Sequence, residues 1–138
     1  MEDKKCVMII DENLPLGLIA NTAAVLGNTI GAHYPKLVGS DVVDKSNNTH
    51  MGVIKIPIPI LKGNASMLFS LREKLYQEEY SDLVVADFSS VAQSCKNYEE
   101  YISKISGVDA KDLKYDGIAI YGDKKKVNKL TGSIGLLR

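Results

Sequence analysis

Five consecutive apolar residues, Cys6 to Ile10 (CVMII), stand between the charged opening MEDKK and the acidic DEN at Asp11 to Asn13. A run with no polar alternation has no face to offer water, so it reads as a central strand buried on both sides. The next segment carries Leu18, Ile19, Thr22, Val25, Leu26 and Ile30, a stripe at i, i+3, i+4 and i+7 that predicts a core-facing helix over 14–33. Asn13 is the expected N-cap, and Pro15 suits the first turn. Gly27 and Gly31 share a helix face and would let a neighbouring backbone approach.

The same alternation continues along the chain. KLVGSDVVD reads as a strand fragment with a turn, and SNNT as a loop. HMGVIKIPIPIL is rich in β-formers, but Pro57 and Pro59 remove ladder donors, so it ends as an edge strand or passes into an extended loop. Asn64 caps a helix expected over 65–79, with Leu68, Leu71 and Leu75 as its buried stripe. DLVVADF is a second apolar strand. Asn97 and Glu100 form a capping box opening a helix that stops at Gly107. YDGIAIYG is a third strand, DKKKVNKLTG a loop or short helix, and SIGLL a final short strand.

Strands that alternate with helices predict an α/β protein: a three-layer sandwich with a four- or five-stranded sheet and helices on both faces. The proline-bearing run and the short last strand make the sheet mixed. The 138 residues are expected to form one domain, 1–138, large enough to bury roughly two-thirds of the unfolded surface without metal or disulfide staples.

Composition excludes several function classes. Formal net charge is zero, so no global field gathers DNA or a membrane surface. No stretch approaches the roughly 20 apolar residues of a membrane helix. With no secretory leader visible and two unspaced cysteines, Cys6 and Cys95, a reduced, cytoplasmic setting is expected. One local imbalance exists: the stretch from Asp123 to Arg138 sets a single acid against Lys124, Lys125, Lys126, Lys129 and Arg138. Lys124, Lys126 and Lys129 are therefore candidate anion contacts, although a solvated lysine run is the simpler explanation of the pattern.

Catalytic motifs are sparse. Neither cysteine has a basic neighbour at a helix start to lower its pKa, and no G-x-S-x-G elbow is present. Ser89 and Ser90 follow the second strand, where helix capping is their expected role. His33 and His50 are far apart, with no acid at chelating spacing, so no metal site and no cofactor are expected. His33 ends the first helix and complements its dipole. His50 stands where a loop enters a strand beside Met51 and Gly52, which makes it a candidate cleft residue. Nucleotide-binding glycine or lysine loops and the aromatic pattern of an RNA-stacking strand are absent.

Two segments resemble motifs of the type II peptidyl-tRNA hydrolases, which carry G-K-x-A-A-Q-x-x-H on the first helix and D-A-G-x-T-Q-x-x-x-G-S before the last strand. In the first, Gly17 and Ala20 match, while Leu18 replaces the lysine, Thr22 the glutamine and Val25 the histidine. In the second, Asp123, Gly132 and Ser133 keep the spacing, with Val127 in place of the threonine and Asn128 in place of the glutamine. A closer resemblance, over nearly the whole chain, is to a family of small, mostly bacterial proteins known only as a domain of unknown function and grouped structurally with those hydrolases. LPLGLIANTAAVLGNTIG, HMGVIKIPIPIL and KKVNKLTGSIGLLR carry it. It implies a peptidyl-tRNA hydrolase II-like fold, admits a homodimer, and brings no established activity.

These readings converge on a small or anionic ligand in a cleft between the first helix and the VNKLTGS loop. Asn21, His50, Asn128, Thr131, Gly132 and Ser133 would bind it, with Asp123 and His50 as the candidate catalytic groups. The alternatives are a homodimeric interaction module without a ligand, and a divergent hydrolase acting on peptidyl-tRNA. The last is the weakest, because a lysine that would stabilise developing charge has become Leu18 and the polyanion lacks a basic face. The cleft requires that Asn21 and Ser133 lie at one rim of the molecule.

Overall fold

A computed structural model describes residues 3–138. The apolar run becomes β1 (Lys4–Asp11), and the stripe becomes α1 (Leu16–His33). A ribbon of β2 (Val42–Val43) and β3 (Thr49–His50) follows, then β4 (Ile60–Gly63) and α2 (Ala65–Leu75). After them come β5 (Val84–Ser89), α3 (Ser90–Gln93), α4 (Tyr98–Ile105), β6 (Tyr115–Asp123) and α5 (Lys124–Thr131).

One four-stranded mixed sheet runs β4-β1-β6-β5. β1 pairs parallel with β4 and antiparallel with β6, which pairs antiparallel with β5. The unalternating apolar runs occupy the two inner strands, where both faces are covered. Cys6, Met8 and Ile10 point to one face with Leu26 and Ile30 of α1. Val7 and Ile9 point to the other with Leu68, Leu71 and Leu75 of α2 and Val127 of α5. Each fully buried aliphatic side chain of this kind contributes about 1.5–3 kcal/mol.

Gly117 of β6 lets α1 close on the sheet: a Cβ there would lie 2.6 Å from Thr22 Cγ2 and 3.2 Å from Leu26 Cδ1. Thr22 is fully buried and donates its hydroxyl hydrogen bond to Leu18 O, 2.7 Å away. Its position belongs to the core, not to a polar cleft.

Several local expectations are corrected. Pro15 occupies the N-cap position of α1 and no side chain caps the helix; Asn13 instead donates its backbone N–H to Asp11 Oδ1. Asn64 caps α2 as expected, but the helix ends at Leu75 rather than 79. The proline-bearing run is extended loop until Ile60, with Ile54, Ile56 and Ile58 packed on the α1 side. DKKKVNKLTG is helical, because Asp123 Oδ2 accepts from Lys126 N and Val127 is drawn into the core. SIGLL forms a short pairing with the outer edge of β4, through Lys62 N to Gly135 O and Leu137 N to Ile60 O, both 2.9 Å. Asn97 caps α4 as predicted, whereas Glu100 reaches back to Lys96 N.

Candidate functional site

The expected cleft does not form. α1 lies on one face of the sheet and α5 on the other, with β1 and β6 between them. Asn21 hydrogen-bonds Gln93 at the β5 side (3.3 Å), whereas Ser133 precedes the tail that runs along β4, at the opposite edge. With the sheet between the two helices and the two residues at opposite edges, Asn21 and Ser133 do not meet.

The remaining predicted residues are occupied elsewhere. Asn128 Oδ1 accepts from Lys5 Nζ at 2.6 Å. Thr131 is buried and donates to Val127 O, and Gly132 N donates to Asn128 O, so its amide is not free for an anion. Asp123 is the α5 cap. Lys126 is held by Asp82 and the Glu79 carbonyl, both at 2.8 Å, and Lys129 lies 3.7 Å from Glu79. Lys124 is exposed at the start of α5. His50 sits on the ribbon, its Nε2 2.7 Å from Asp44 Oδ2. Asp44 also accepts from Ser46 N and Asn48 N, around a turn in which Asn47 adopts φ 67°. These bonds hold the Asp44 carboxyl below the usual range, the His50 bond most of all. His50 therefore closes a ribbon turn in open solvent, where an ion pair contributes little.

A groove forms where none was expected, between α1, the outer strand β5 and the α3–α4 segment. Its volume is about 430 Å³, within the range of small-ligand sites. Val25 and Thr29 form one wall, Ala86 and Phe88 the floor, and Ala92, Cys95, Tyr98 and Tyr101 the other wall. The tyrosine rings meet edge-on, with centroids 5.6 Å apart. Burial, then the Asp87 carboxylate, pushes the Tyr101 phenol above its usual pKa, so it is a neutral hydrogen-bonding group at pH 7. The Asp87 carboxylate is itself engaged by Arg72 Nε at 2.7 Å. Thr29 and Cys95 bond to carbonyls of their own helical turns. The groove is thus largely apolar with neutral polar points, and the paired Asp87 and the exposed Lys96 are the charged residues of its lining. Val25 was noted in the sequence as part of the core-facing stripe and as a lost histidine, and the capping box at Asn97 with the stop at Gly107 was the signal for the helix that builds the far wall.

A second polar feature lies at the end of the sheet. Phe88 pairs with Gly117 and Ser89 with Tyr115, leaving Asp116 as the extra residue of a β-bulge. Asp116 stands one step beyond the Ile10–Gly117 pair, beside Asp11, and both are buried. Burial raises the pKa of Asp116; Lys114 opposes that rise and Asp11 adds to it. The acid inside the otherwise apolar YDGIAIYG was the only sequence sign of this couple. Among the described residues, no group of three metal-ligating side chains occurs, and no helix is long and apolar enough to cross a membrane.

Comparison with known proteins agrees with the fold and adds no activity. No curated protein matches the chain. A solved structure of a protein of unknown function, Atu0240 from Agrobacterium tumefaciens strain C58, superposes with a TM-score of 0.87 at 20% identity, covering 99% of this chain and 98% of that one. The family model described as protein of unknown function (DUF2000) matches residues 4–138. With nearly its whole length accounted for by that model, the chain belongs to the DUF2000 family.

Proposed function

We propose that the protein is a binding module for a largely apolar ligand held in the groove between α1, β5 and α3–α4. The observation that carries this reading is the groove itself: about 430 Å³, walled mainly by apolar and aromatic side chains, with a few neutral hydrogen-bonding groups and Lys96 in its lining. Its residues replace the cleft expected between the first helix and the VNKLTGS loop. Cys95 supplies a built-in reporter. An apolar fragment such as indole is expected to slow alkylation of Cys95 by iodoacetamide and to shift the amide resonances of Thr29, Ala92 and Tyr101 together. Unchanged alkylation across a broad panel of apolar fragments would overturn the reading. Cys6, buried with its thiol pushed up to about 11, stays unreacted in the folded protein and serves as the internal control.

A homodimer is a second reading, favoured by the ribbon. Val42, Val43, Met51 and Val53 there are 59%, 63%, 84% and 76% exposed. A two-stranded ribbon is marginally stable by itself, and a second copy would cover this apolar face. Sedimentation is expected to show a dimer that Val43→Asp and Met51→Asp dissociate; a wild-type monomer at high micromolar concentration rules it out. The hydrolase alternative gains nothing from the geometry, since Asp123 caps a helix and both Thr22 and Val127 are core residues.

A further inference from the structure

We infer that the occupant of the groove is an extended peptide segment that lies along the outer edge of β5. This rests on the groove being a binding site and specifies what it binds. β5 ends the sheet, and among the described residues no backbone hydrogen bond joins residues 84–88 to anything but β6. In an antiparallel pair the outward N–H and C=O groups of alternate residues have no partner. The opposite edge of the same sheet is closed by the chain's own Gly135 and Leu137, which bond to β4 in extended form.

β5 also lacks the usual guards of an exposed edge. Val84 to Phe88 contains no proline and no lysine, and its one charge, Asp87, is already engaged by Arg72. A compact apolar molecule would satisfy the walls but leave the strand edge unpaired. An extended backbone satisfies both, the mode in which peptides add to sheet edges. The five residues span about 17 Å, enough for a segment of four or five residues. Tyr98 and Tyr101 offer ring faces and edges to an aromatic or aliphatic side chain. Lys96 lines the groove with an exposed ammonium that no carboxylate of the chain engages among the described residues. The fitting occupant is therefore apolar, extended and acidic at one end.

The test is a titration of ¹⁵N-labelled protein with the capped tetrapeptide acetyl-Glu-Val-Tyr-Val-amide, its fully N-methylated analogue, and indole. The peptide is expected to shift the amides of residues 84–88 together with Tyr98 and Tyr101, and N-methylation to weaken it at least tenfold. Lys96→Glu is expected to weaken the peptide and leave indole unaffected. Thr29→Phe, which fills the groove from α1, abolishes both, with an unchanged melting curve showing that the fold is intact. Equal binding of the N-methylated analogue overturns the inference. Shifts with indole but none with the peptide also overturn it while leaving the groove as a ligand site. Silence from all three probes overturns both.

Discussion

Asp116 shows how one residue can oppose the fold that holds it. Only 3% of it is exposed, the carboxyl makes no hydrogen bond or ion pair among the described residues, and Asp11 is its neighbour across the β1–β6 register. Burial raises its folded pKa, so at pH values above the unfolded carboxyl, about 3.9, the unfolded chain gives up its proton first. Stability contributed by the protonated form is then complete below that value and lost as pH rises through the folded pKa. Asp116→Asn removes the penalty and keeps the shape. Urea unfolding is expected to show the variant level with wild type near pH 3.5 and more stable at pH 7, the gap opening across the intervening range. A constant gap at every pH would assign the change to packing alone. This residue was poorly legible in the sequence: YDGIAIYG reads as a strand, and nothing in that pattern marks Asp116 as the buried extra residue of a bulge opposite β5.

At the scale of elements, legibility followed local chemistry. β1, β5 and β6 were readable because unbroken apolar runs permit one environment, and the caps at Asn64 and Asn97 because their side chains act within three residues. The faces chosen by α1 and α5 were not readable. An amphipathic stripe states that a helix packs, but not on which side of the sheet, and that missing sign produced the wrong cleft. The close approach of α1 depends on a position that periodicity does not mark. Gly117→Ala would place a Cβ against Thr22 Cγ2, Ile9 O and Leu26 Cδ1, two helix side chains and one backbone atom of β1. The expected cost is about 1–3 kcal/mol, as for overpacking elsewhere. Thr22→Ala in the same chain should recover part of it, because the nearest clash disappears. Chemical denaturation of the two single variants and the double variant measures this coupling, and strictly additive effects would refute direct contact.

For the molecule as a whole, the decisive asymmetry is between its two sheet edges. The tail closes the β4 edge with two backbone bonds, and its side chains reach both cores: Ile134 packs with the α2–α5 side and Leu137 with the α1 side. A segment that touches both layers ties them together in the way a loop on one face does not. Leu136, between them, points outward and is 48% exposed. Leu137→Ala is therefore expected to cost about 2 kcal/mol, while Leu136→Ala stays within about 0.5 kcal/mol of wild type. The sharper consequence concerns exchange. Weakening the tail frees outward backbone groups of Ile60 and Lys62, so the Lys62 amide should lose hydrogen-exchange protection in Leu137→Ala, whereas inner-strand amides such as Ile9 change only by the global stability difference. Equal loss at both positions would mean that the tail unfolds only with the whole domain, and that the β4 edge is never open on its own.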